Sequence, residues 1–128
     1  MIRLRAFILT CAVVFYFLPA LSQPQKSVAA VLQGLDKITA RVSTIDAPIG
    51  ENVRFGTLDI TVRKCHKRPP TETPETTAYL EIRERRLDEG GVDLFSGWMF
   101  ASSPAASSME HPVYDVWVVD CRNASNSG

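Results

Sequence analysis

The chain has 128 residues, with 14 basic and 14 acidic side chains in balance, and this excludes the strongly basic footprint of a dedicated nucleic-acid binder. A 45% hydrophobic fraction with eight prolines and seven glycines is an ordinary globular composition, enough for one modest core and not for several.

The N-terminus reads as an export signal over residues 1–22: Arg3 and Arg5 give a basic n-region, Ala6 to Leu18 an apolar run, and Ala20-Leu21-Ser22 a small-x-small cleavage site before Gln23. The run is short for a ~30 Å hydrocarbon core, and Pro19 breaks a helix where an anchor would continue. An uncleaved anchor is the alternative. Cys11 lies within the apolar run and lacks the small residue before it that lipoprotein processing requires, so it belongs to the leader. Loss of the leader removes two basic residues and no acid, leaving the remainder two charges on the acidic side.

Residues 23–35 form a short Ala/Val-rich lead-in, open between a fraying helix and an extended arm. From Lys37 to Thr44, Ile38, Ala40 and Val42 alternate with polar residues, the period-two pattern of a strand with one buried face. Pro48 to Asn52 is a turn, and Val53-Arg54-Phe55 passes through Gly56 into the clearest strand, Leu58 to Cys65. Three prolines make His66 to Glu75 an exposed loop. Thr76 to Arg83 and Val92 to Phe100, joined by Leu87-Asp88-Glu89-Gly90-Gly91, read as a hairpin. Ser103-Pro104-Ala105-Ala106 offers an N-cap and a first-turn proline for a helical turn. Val113 to Cys121 is the last strand, and its apolar residues on both parities suggest a central strand covered on both faces.

With the leader gone, Cys65 and Cys121 are the remaining cysteines, each at the end of a predicted strand, and exported pairs form disulfides. The expectation is therefore a mainly β fold, a small antiparallel sandwich or barrel-like sheet of about six strands. A disulfide closes it, residues 36–122 form one domain, and residues 123–128 are a disordered tail.

Four blocks of this sequence resemble the domain-of-unknown-function family 2155, small exported proteins mostly of alphaproteobacteria. They are Phe55-Gly56-Thr57-Leu58, Arg68-Pro69-Pro70, Phe95 to Pro104 (FSGWMFASSP) and Glu110 to Cys121 (EHPVYDVWVVDC). The resemblance spans about Asp36 to Cys121. It implies a bacterial periplasmic setting and carries over no activity and no catalytic residue.

Three constellations offer chemistry. Cys65, His66, His111 and Cys121 are zinc-ligand types, but no Cys-x-x-Cys or His-x-x-x-His spacing occurs and adjacent Cys65 and His66 point to opposite faces of a strand. His111 beside Glu110, Asp115 or Ser102, Ser103, Ser107 and Ser108 has the elements of a general base and nucleophile, yet no glycine-flanked nucleophile turn is present. Trp98, Phe100, Tyr114 and Trp117, with the basic run Arg63, Lys64, Lys67 and Arg68, suit recognition. Trp98 and Phe100 share parity with Leu94, which places part of the aromatic set in the core. Asn123-Ala124-Ser125 matches a glycosylation acceptor, incidental in a bacterial setting.

The residues selected for binding are Lys67, Arg68, Trp98, His111, Tyr114 and Trp117, with no catalytic residue, metal or cofactor assigned. The leading reading is a non-enzymatic periplasmic module that binds an envelope protein or a cell-wall component. A small hydrolase or metal-dependent enzyme centred on His111 is the second reading. An accessory factor docked on the periplasmic face of an inner-membrane complex is the third.

Overall fold

The computed structural model describes residues 14, 16–18, 26–87, 90–107 and 109–124. Cys11, the cleavage site expected after Ser22 and the tail beyond Ala124 lie outside the described residues. Among the described residues, no helix is long and apolar enough to cross a membrane.

Among the described residues, seven strands form two antiparallel sheets. They are β1 (Ser27–Asp36), β2 (Arg41–Pro48), β3 (Asn52–Phe55), β4 (Leu58–Lys67), β5 (Thr76–Glu84), β6 (Val92–Phe100) and β7 (Tyr114–Asn123), with one 3-10 turn at Pro104–Ser107. The first sheet has the order β2-β1-β7 and the second β3-β4-β5-β6. The sheets stack as a sandwich and do not close into a barrel, the first of the two forms expected from the period-two pattern.

The core is the set of inward positions from both sheets. Leu32 and Val118 from one sheet meet Leu58, Ile60, Val62, Leu80 and Ile82 from the other, all at most 1% exposed. Each such side chain contributes about 1.5–3 kcal/mol on burial. Met109, on the crossing from β6 to β7, is buried in the same cluster.

Four expectations are corrected. The lead-in is neither arm nor fraying helix: β1 is the central strand of its sheet, paired with both β2 and β7, and Ala29, Ala30 and Leu32 are fully buried. Its small residues made it look weak, but Gly34 is small because a Cβ there would stand 2.6 Å from the Phe55 ring. Residues Lys37 to Ala40 are a turn, not strand: Asp36 Oδ1 accepts the amides of Ile38 at 2.9 Å and Thr39 at 3.1 Å, and Ala40 takes a φ of 56°. β4 continues through His66 and Lys67, which pair with Thr77 and Thr76, because the proline constraint begins only at Pro69. The last strand is an edge of its sheet, and the second parity has two sources: Trp117 lies on the outer face, and Val119 sits at an irregularity. Val31 pairs with Asp120 and Leu32 with Val118, so Val119 is a bulge.

A bulge also decides β6. Arg83 pairs with Asp93 and Ile82 with Phe95, leaving Leu94 extra. The phase reverses after it: Phe95 and Met99 turn to the core, while Trp98 and Phe100 point outward, 42% and 37% exposed. The parity shared with Leu94, which suggested burial, does not survive the bulge.

The disulfide Cys65–Cys121 joins β4 of the second sheet to β7 of the first, with Cα atoms 5.8 Å apart, within the span such a bond permits.

Candidate functional site

The outer face of the four-stranded sheet carries an aromatic and basic surface. Strand registers set it in rows: Lys64 pairs with Tyr79 and Tyr79 with Trp98, while His66 pairs with Thr77 and Thr77 with Phe100. Tyr79 and Trp98 meet edge to face with ring centroids 5.4 Å apart, a favoured aromatic geometry. Arg63 binds Glu81 at 3.1 Å on the next row. Lys67, in register with buried Thr76, instead reaches across to Asp120 on β7 of the first sheet at 2.9 Å. Large exposed rings with a polar margin have the make-up of a recognition surface.

His111 and Tyr114 lie at the other end of the strands. The His111 ring is 6% exposed. Its Nδ1 accepts the backbone amides of Val113 at 3.0 Å and Tyr114 at 3.1 Å, and its Nε2 stands 2.9 Å from Glu84 Oε2. Two N–H groups on Nδ1 fix the tautomer, so Nε2 carries the proton and donates it to the carboxylate. The ring stacks on Tyr114 at 5.2 Å, which meets Phe55 edge to face at 5.3 Å. Gly56, at φ 56°, passes so close beneath Tyr114 that an added Cβ would strike the ring.

The six residues selected from sequence therefore do not converge. Lys67, Arg68 and Trp98 belong to the second sheet and the loop beside it, His111 and Tyr114 to the opposite end, and half-buried Trp117 to the outer face of the first sheet, paired with Gln33. Of the zinc-ligand types, Cys65 and Cys121 are bonded to each other and His111 is held by Glu84. No group of three or more His, Cys, Asp or Glu among the described residues is placed to hold a metal ion. Tyr79, Lys64 and His66 were not selected as site residues. Tyr79 was legible, since Ala78, Leu80 and Ile82 take the inward parity around it.

Residues 30–121 match the family described as "Uncharacterized protein conserved in bacteria (DUF2155)". The chain belongs to this family. An uncharacterized protein of Rickettsia prowazekii is 37% identical to it over 87 residues, covering 68% of this chain and 56% of the relative. The chain thus matches little more than half the length of that curated relative. No solved structure matches.

In this DUF2155 member, the blocks that carried the resemblance have distinct structural work. Phe55-Gly56 and His111 to Tyr114 build the ring stack, whereas Gly97 to Pro104 supplies Trp98, Met99, Phe100 and then Ser102. The Ser102 hydroxyl donates to Glu75 Oε2, and Glu75 Oε1 accepts the amides of Thr76 at 3.0 Å and Ser102 at 3.2 Å. This fastens the proline loop to the end of β6. Hydrogen bonding from the Ser102 hydroxyl, then the two amides and the nearby Arg68 charge, hold the Glu75 carboxyl below its ordinary value against a smaller opposing effect of desolvation. A carboxyl lowered by folding adds stability that is present above its unfolded pKa and lost as pH falls through its folded one. Ser102→Ala should raise the Glu75 pKa, and a carboxyl-carbon NMR titration that finds it unchanged would refute the assignment of the hydroxyl as the main cause.

Proposed function

We propose that the protein works by recognition, as an exported and disulfide-closed periplasmic module that docks an envelope protein through the outer face of its four-stranded sheet. The carrying observation is the bulge at Leu94, which turns Trp98 and Phe100 to solvent where an unbroken strand would bury them. Exposing two large rings side by side forfeits burial, and such patches on soluble proteins mark interaction sites. The export part rests on the leader pattern, and the disulfide agrees with an oxidising compartment. Intact-mass measurement of the native protein should find an N-terminus at or within a few residues of Gln23. Retention of residues 1–22 would favour an anchor.

The catalytic alternative needs a free nitrogen on His111. Neither is free: both ring nitrogens are engaged, and the nearest carboxylate is an acceptor that holds the ring in place.

The test is site-specific photo-crosslinking in native membranes from Trp98, with Val42 on the outer face of the first sheet as the control position. A discrete adduct from Trp98 and none from Val42 is expected. Trp98→Ala should weaken association with the crosslinked protein by about tenfold or more, the scale of a hot-spot residue. Its melting temperature should stay within a few degrees of wild type, because the ring is largely outside the core. Association unaffected by Trp98→Ala and Phe100→Ala together would overturn the reading.

A further inference from the structure

We infer that the cleft between the β1–β2 and β3–β4 turns is a binding site for a sugar that bears a carboxylate. It stands on residues other than those of the proposed docking face, at the opposite end of the strands.

Arg41 gives the first indication. Arg54, Arg63, Arg83 and Arg122 on strands, and Arg85 just after one, each hold a carboxylate within 3.7 Å, whereas Arg41, at the start of β2, has no such partner among the described residues. Its register partner across the β1–β2 pair is Asp36, the natural candidate. Asp36 instead turns one oxygen onto the amides of Ile38 and Thr39. The guanidinium therefore lines the cleft as an uncompensated, five-donor fork, a shape that takes a carboxylate through two parallel hydrogen bonds.

The rest of the cleft narrows the ligand class. Arg41 shares it with Asp36, Thr39, Ser43, Phe55 and Tyr114. The two rings are held at 67° to one another. They are held from below by the space left at Gly34 and Gly56 and from the side by the His111 ring. A fixed aromatic floor receives an apolar face, such as the C–H face of a pyranose, without loss of side-chain freedom on binding. Around it, the hydroxyls of Ser43 and Thr39 can donate or accept, and Asp36 is an acceptor for a sugar hydroxyl.

Other occupants fit less well. A small inorganic anion would use Arg41 but leave the rings and the hydroxyls of the cleft idle. A neutral sugar would use the rings and hydroxyls but leave the guanidinium unpaired. A carboxylate-bearing sugar engages all four kinds of group.

The experiment is a titration of the purified protein, followed by amide chemical shifts, with N-acetylmuramic acid, glucuronic acid, N-acetylglucosamine and lactate as probes. Saturable shifts confined to residues 36–43, 55–56 and 114 are expected with one or both acidic sugars. The one that binds tighter identifies the source as cell-wall glycan or uronic polysaccharide. N-acetylglucosamine, which has the ring without the carboxylate, should bind at least about tenfold more weakly, the value of a charge-assisted hydrogen bond. Arg41→Gln should erase that preference while its spectrum keeps the dispersion of the folded protein, since Arg41 is exposed. The inference is overturned if neither acidic sugar gives saturable shifts, if Arg41→Gln binds them as wild type does, or if lactate alone reproduces the full affinity.

Discussion

Replacing both Cys65 and Cys121 by alanine should lower the unfolding free energy by about 4 kcal/mol, the largest single effect expected in this protein. The bond closes a loop across a sequence separation of 56 residues, and in the chain-entropy account a loop of that length loses about this much freedom in the unfolded state. The bond also links the two sheets near one end, where β4 and β7 finish. Domains of about a hundred residues have a total stability of only about 5–15 kcal/mol, so the loss is a large share. It should appear as a fall in melting temperature of roughly 15–30 °C, with a steeper urea dependence because the unbridged chain exposes more surface. A loss below about 1 kcal/mol would mean that the unfolded chain is already compact, and would remove the staple from any account of why so small a core suffices.

Much of this architecture was legible from alternation alone. Leu58, Ile60 and Val62, then Ala78, Leu80 and Ile82, each announce one buried face, and their hairpin partners follow in register. Legibility failed where a single residue changed the phase or where smallness was the message. Leu94 and Val119 are extra residues in their strands, and no periodicity count sees a bulge before the partner strand is known. The N-terminal strand was obscured because Ala29, Ala30 and Gly34 have little side chain to count, although Gly34 is small for the sake of Phe55 on the facing sheet. That contact is tertiary and leaves no local mark in the sequence.

The candidate sites follow the same rule. Residue type picked out Trp98, Lys67, Arg68, His111, Tyr114 and Trp117, but their grouping depends on which end and which face each reaches. Trp98 owes its exposure to the bulge. His111 lies next to a proline in the sequence, which suggested a partly exposed turn residue, yet Glu84 lies 27 residues away and draws the ring inward. Arg41 carried no signal at all, because an arginine without a partner is recognised only once the partners of the others are known.

His111→Ala is the replacement that separates a structural histidine from a catalytic one. It should cost about 3 kcal/mol of stability, since it strands the amides of Val113 and Tyr114, leaves Glu84 without its donor and removes the ring that supports Tyr114. His111→Asn should recover about half of that loss. The Asn side-chain oxygen reaches the amides two and three residues onward, the arrangement of an Asx turn, but offers Glu84 no equivalent of the Nε2 proton. Thermal melting of the two variants gives the order wild type, Asn, Ala. Association through the Trp98 face, measured well below both melting points, should be unchanged in either. A catalytic histidine would produce the opposite pattern: Ala and Asn would be equally inactive, with a loss of 10²–10⁴-fold expected for a missing general base, and the activity would not follow stability. Equal loss of function in two variants of unequal stability, both fully folded at the assay temperature, would therefore return His111 to the reaction and displace recognition as the mode of work.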